Sequence, residues 1–215
     1  MQIQTPKKTG RGRPSKSPEH HQAVRSTLIR SGMELLTEQG YSATGIDAIL
    51  KPVGVPKGSF YYYFDSKDEF VSQVIDGYAE YFAKLLDKHL ADETRPPLQR
   101  ILDFVATASD GMARFDFRRG CLLGNLGQEM STLPNQFRLQ IDTVFNDWER
   151  RLSDCLEAAK ERHEISASAD TKKLAYLFWI GWEGAVLRAK LERSDRPLKT
   201  FATEFISTHQ RSTQA

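Results

Sequence analysis

The 215-residue chain reads as all-α: an N-terminal three-helix helix-turn-helix domain followed by a larger C-terminal helical domain. Three observations lead there. Apolar residues recur at three- and four-residue spacing from residue 21 to 208, the period of one face of a helix. The recurrence is interrupted at Gly40, at Pro52 with Gly54, at Arg95-Pro96-Pro97, at Pro134 and at Pro197, residues that stop or start helices. Between residues 44 and 64 lie two short helices joined by a tight turn, which is helix-turn-helix grammar.

Composition narrows the class. Apolar residues make up 40% and charged residues 27%, which excludes a disordered or fibrous chain. No basic segment followed by an apolar run opens the sequence, and the longest apolar run, residues 174–187, is broken by Glu183. A cytoplasmic protein is expected. Cys121 and Cys155 are too few for a disulfide framework and fit a reducing compartment. The net charge of +2 conceals an asymmetry: residues 1–64 hold nine Lys or Arg against four Asp or Glu, and the remainder twenty-one against twenty-four. The positive end is the end expected to meet nucleic acid.

Residues 1–19, rich in Lys, Arg, Pro, Gly and Ser without apolar periodicity, are expected to form a flexible basic arm. Within it Gly10-Arg11-Gly12-Arg13-Pro14 suits a minor groove: glycine lets the backbone follow the floor, and Arg11 and Arg13 meet concentrated negative potential. A solvated basic tail is the plainer alternative. The domain proper is expected over residues 20–66. Its first helix, about 21–39, has Val24, Leu28, Leu35 and Leu36 on one face, with Gly40 as a left-handed stop and Tyr41 as a core aromatic. The next carries Ile46, Ile49 and Leu50 and is expected to end at Lys51-Pro52, because the residue before proline is pushed out of the α region. Gly54 supplies the turn, Pro56 fits a first helical turn, and Lys57, Gly58 and Ser59 lead into the aromatic run 60–64.

Glu38-Gln39-Gly40-Tyr41, Gly45-Ile46, the run from Gly54 to Phe64, and Lys67 together resemble the DNA-binding domain of the TetR family of bacterial transcriptional regulators, over about residues 21–70. Pro52 and Tyr62 depart from the usual pattern. The resemblance implies a recognition helix brought into the major groove by a glycine, a hydroxyl residue and the aromatic cluster. Expected DNA contacts are Lys57 to a phosphate or base edge, Gly58 by close backbone approach, and Ser59, Tyr61 and Tyr62 by hydroxyl or ring. Thr44 is expected to cap a helix and touch a phosphate, and Lys67 to meet a phosphate. Phe60 and Phe64 are assigned to the core.

Residues 67–215 are expected to form a ligand-binding and dimerisation domain. Ser66 and Glu69 make a capping box for a long helix to about residue 90, striped by Phe70, Val74, Tyr78 and Phe82. Further helices are expected over 98–115, 134–162, 169–193 and 197–208. The segment 118–130, with Gly120, Gly124 and Gly127, has poor helix propensity and is expected to change shape. The last two long helices suit a homodimer's four-helix interface, with Gly181, Gly184, Ala185 and Ala189 allowing close approach; completion of an intramolecular core is the alternative. A dimer would set two recognition helices ~34 Å apart and read a near-palindromic operator.

The runs 119–125, 127–130, 178–184 and 189–191 are similar to a narrower branch of the same family, whose members respond to acrylate or other reactive electrophiles. That resemblance implies a small-molecule effector and places Lys190 near Cys121. By its own setting, Cys121 beside Arg118 and Arg119 near a helix start is either a stabilised thiolate or an inert buried thiol. Cys155 is read as core. Glu183, an acid in an apolar helix, needs a partner such as Arg188, Arg119 or a ligand group. Trp179 and Trp182 are candidate pocket walls, with Asn125 or an arginine fixing a small carboxylate.

The expected function is a ligand-released repressor, with a redox- or electrophile-sensing regulator of the same fold as the alternative. An enzyme using Cys121 lacks support: His20, His21, His89, His163 and His209 are scattered, and neither a metal spacing nor a cofactor motif appears. A non-specific architectural DNA-binding protein would bind with little sequence preference.

Overall fold

The computed structural model describes residues 18–211, so Arg11 and Arg13 lie outside the described residues. Nine α-helices and two 3-10 turns make up the regular structure among the described residues. The first helix, α1 (Pro18–Gln39), starts earlier than expected and takes in two residues assigned to the arm. Its inward line is Leu28, Gly32 and Leu36, with Val24 and Leu35 only partly covered. Gly32 is required by packing: a Cβ there would collide with the Phe70 ring and lie 2.8 Å from Val74 Cγ2.

Helix α2 (Ile46–Leu50) ends at Lys51-Pro52 as expected, but Lys51 keeps right-handed helical dihedrals (φ −56°, ψ −48°) instead of leaving the α region. The helix tightens into a 3-10 turn over Lys51–Val53, where proline at the start lacks only an N–H that has no partner to serve, and ends at Gly54 with φ 66°. A second 3-10 turn, Lys57–Ser59, leads into the single turn of α3 (Phe60–Tyr63). Phe60 and Phe64 are buried, as read from the sequence.

The long α4 (Lys67–Leu90) passes through both units of the fold. Phe70 packs against Phe60 and Phe64 near its start and Phe82 against Trp148 further along, within one continuous apolar core. Ser66 caps it, accepting from the Glu69 amide at 3.0 Å, while Glu69 accepts from the Asp65 amide at 2.8 Å. The box is thus shifted, because its return bond reaches one residue ahead of the cap.

Above it pack α5 (Pro97–Ala113), the short α6 (Leu122–Gln128), α7 (Asn135–Glu161), α8 (Thr171–Glu192) and α9 (Arg196–His209). Their centre is aromatic: Trp148 lies 4.2 Å from Phe82 and 5.1 Å from Trp179 between ring centroids. The inward face of α8 includes Phe178, Trp179, Trp182, Ala185 and Ala189, and Gly181 lies under the Phe201 ring. So Gly181, Ala185 and Ala189 serve packing within the chain, contrary to their expected place at a partner. Gly184 alone of the four faces open space.

Candidate functional site

The reading face presents a cation, a bare glycine and two tyrosines. Lys57 is exposed, its ammonium 2.7 Å from Asp47. Nothing in the fold lies within 4 Å of where a Gly58 Cβ would be, so no internal packing demands a glycine there. Tyr61 and Tyr62 are 66% and 61% exposed, whereas Tyr63 is buried. Ser59 lies partly covered at the edge of this face.

Arg25 of α1 holds the face in position. It donates to the Tyr63 carbonyl (3.3 Å), Gln73 (2.6 Å) and Glu69 (3.0 Å), and its guanidinium lies 4.9 Å from the Phe64 ring centre. The sequence reading missed this clamp, which joins residues more than thirty positions apart.

Two expected phosphate contacts are differently engaged. Thr44 is fully buried and its hydroxyl donates to the Gly40 carbonyl at 2.6 Å, while Gly45 occupies the cap position of α2. Lys67 donates to the Tyr41 carbonyl at 2.9 Å and sits 3.8 Å over the Tyr41 ring. Both residues shape the turn between α1 and α2.

A cavity of about 420 Å³ opens between the reading unit and the upper bundle. Met33 and Thr37 of α1 form one wall, Tyr78, Phe82 and Leu85 of α4 a second, and Met112, Trp182 and Val186 the far side. Arg30, Glu34, Arg114 and Arg119 also line it. Of the expected ligand residues, Arg119, Cys121 and Trp182 reach this cavity. Trp179 is a core residue with its ring against Trp148 and Phe104. Arg188 is exposed and bonded to Glu192, and Arg119 is bonded to Glu34 and Glu38, so neither is the partner expected for Glu183. Arg30 and Arg114 were missed, because exposed arginines on separate helices carry no spacing signal.

Cys121 caps α6, its sulfur accepting from the Gly124 amide at 3.4 Å. Burial pushes its thiol well up, and the neighbouring Glu183 carboxylate adds to the effect. Both effects oppose a thiolate at Cys121, while the Gly124 amide favours it. Burial raises the Glu183 carboxyl to about 7, and its Oε1 is sealed from solvent without a hydrogen-bond partner among the described residues. Such a group binds a proton more tightly folded than unfolded, so its stability contribution is intact below about 4.5 and is lost as pH rises through 7. Glu183→Gln is expected to flatten that part of the stability profile and to raise stability at pH 8 by up to ~3 kcal/mol, read by urea unfolding at pH 5 and 8. Equal slopes in both proteins would contradict the assignment.

Asn125 and Lys190, also expected at the ligand, stand behind the cavity and link elements instead. Lys190 donates to Asn125 Oδ1 at 3.1 Å, and Asn125 Nδ2 donates to the Thr37 carbonyl in the last turn of α1. Burial lowers the Lys190 ammonium. Just beyond the end of α6, Glu129 accepts from the backbone amides of Tyr41 and Ser42 at 2.7 and 2.8 Å. Although burial opposes its charge, those amides and Lys67 hold its carboxyl below the ordinary value. Gly40 has φ 79°, and a Cβ on it would strike the Glu129 carboxylate. The α6 segment thus grips the reading unit at two points.

A reading pair bolted beneath a helical bundle with its own cavity has known counterparts. Residues 28–74 match the family described as bacterial regulatory proteins, tetR family, and residues 97–205 match the tetracyclin repressor-like C-terminal domain. The transcriptional regulator AcuR of Cereibacter sphaeroides is 50% identical over 200 residues, covering 93% of this chain and 91% of that protein. The chain belongs to the TetR family. The HTH-type transcriptional repressor NemR of Escherichia coli K12 is 31% identical over 186 residues, covering 86% of this chain and 92% of that protein. The crystal structure of regulatory protein TetR from Rhodobacter sphaeroides superposes with a TM-score of 0.84 at 49% identity, covering 86% of this chain and 98% of that one.

This is accordingly a TetR-family transcriptional regulator, and such regulators bind DNA and are dimers. One surface suits the second copy. Tyr176, Leu177, Ile180, Leu187 and Leu191 project from α8 at 50–72% exposure, an apolar line whose middle is the open Gly184. No helix among the described residues is long and apolar enough to cross a membrane, and they contain no grouping of His, Cys, Asp and Glu that would hold a metal.

Proposed function

We propose that this TetR-family regulator is a cytoplasmic repressor that holds a near-palindromic operator as a homodimer through α8, and releases it when a small organic acid of the acrylate class fills the cavity. The observation that supports this best is that α1 of the reading unit forms one cavity wall, so an occupant presses on the reader directly. Lys57, Gly58, Ser59, Tyr61 and Tyr62 are the proposed groove contacts, with Arg11 and Arg13 reaching the minor groove; Thr44 and Lys67 contribute by fixing the turn. Thermodynamically, the acid must prefer the form that does not fit DNA.

The test is to select the operator from random duplexes, then titrate acrylate and its saturated analogue propionate into the complex while following fluorescence anisotropy. Release by both acids, retained in Cys121→Ser, is the expected result. Operator binding indifferent to both would reject the effector. Cys121 in the cavity wall supports one second reading, a covalent electrophile sensor. That reading requires release by acrylate alone and its loss in Cys121→Ser.

A further inference from the structure

We infer that Arg119 is the carboxylate-recognising group of the cavity and that it works by exchange, leaving Glu34 and Glu38 of α1 to bind the acid. The inference rests on the small-acid reading above and goes further by naming the atom group and the contact broken.

Arg119 belongs to two structures at once. Its Nε donates to Glu38 at 2.8 Å and its outer nitrogen to Glu34 at 3.1 Å, while the same side chain lines the cavity. The two carboxylates come from different residues, so each takes one arm of the guanidinium fork. A ligand carboxylate arriving from the cavity can take two arms together, the geometry in which arginine pairs best. Phe115 makes the exchange feasible without a large movement. Its ring lies 3.9 Å from the guanidinium carbon and also lines the cavity, so it supports the cation whichever partner it faces. The surroundings favour an incoming anion, since Arg30 and Arg114 also line the cavity and make no ion pair among the described residues.

The consequence falls on α1. Glu34 and Glu38 are four residues apart on one helix face, and like charges at that spacing repel once their common cation is withdrawn. Arg119 is two residues ahead of Cys121, the cap of α6, and α6 holds the far end of α1 through Asn125. One binding event therefore loosens the last two turns of α1 while shifting the segment that grips the same end. The cavity's volume of about 420 Å³ leaves room for acids larger than acrylate.

Calorimetric titration with two acid–amide pairs, acrylate with acrylamide and benzoate with benzamide, tests this. In the unaltered dimer the acids are expected to bind about tenfold or more tighter than their amides. In Arg119→Met that preference should fall to about twofold or less with the amide affinity unchanged, which a general loss of structure would not produce. Glu34→Gln with Glu38→Gln should act oppositely, binding the acids about fivefold tighter and the operator correspondingly weaker, as linkage requires. Should Arg119→Met keep its acid preference while acids still release the operator, the exchange is overturned and the small-acid reading stands. If the unaltered dimer binds neither acid, both fall.

Discussion

Placing glutamates at Ile180 and Leu187 together is expected to yield a folded monomer whose operator affinity is lower by about 10²–10⁴-fold. Both side chains stand half out of α8, 55% and 50% exposed, and neither supports the interior, so the monomer should keep its helical content. The loss comes from linkage between two weak readers. Each α3 is a single turn with only a handful of proposed groove contacts, and the second half-site would be engaged at the effective concentration that the dimer creates. Sedimentation velocity gives the oligomeric state, circular dichroism the fold, and anisotropy on full and half operators the affinity. A monomer binding the full operator as tightly as the parent would show that α8 is not the interface.

Removing the Glu129 carboxylate is expected to separate the two ends of the molecule. Allosteric coupling between two sites is typically about 5–150-fold in affinity. Glu129→Ala should reduce it below about 5-fold while the acid still binds, because the reading unit loses its tie at Tyr41 and Ser42. Glu129→Gln keeps one acceptor oxygen and should fall between. The measurement is a thermodynamic cycle: operator affinity with and without saturating acid in all three proteins. Undiminished coupling in Glu129→Ala would move the transmission to α4 and to the contacts that α1 makes with the cavity, Arg119 and Asn125.

What the sequence made legible and what it hid divide along physical lines. Helices α1, α4 and α7 announce themselves because their apolar stripes, the Ser66 cap and Pro134 act over a few neighbouring residues. The reading pair was legible for the same reason, down to the turn at Gly54. Cys121 was placed correctly at a helix start, but its burial against Glu183 depends on α8, sixty residues further along. Helix α8 is apolar on nearly every side, so its periodicity could not tell which face meets the chain's own core. That ambiguity put Gly181, Ala185 and Ala189 on the wrong side. The ion pairs of Arg119 with Glu34 and Glu38, and the contacts of Asn125 with α1, join residues more than eighty positions apart. Nothing in local spacing signals them, and they are what connects the cavity to the reader.

Cavity occupancy is expected to change the spacing of the paired reading faces. Asp65, exposed just past α3, offers a site for a spin label after Asp65→Cys, with Cys121 and Cys155 both buried. Pulsed dipolar distance measurement across the dimer, on the operator and then with a releasing acid, reads the spacing directly. One narrow distribution is expected on DNA, consistent with recognition helices ~34 Å apart, shifting by several ångströms when the acid binds. An unchanged distribution under conditions where the acid has released the operator would contradict this expectation.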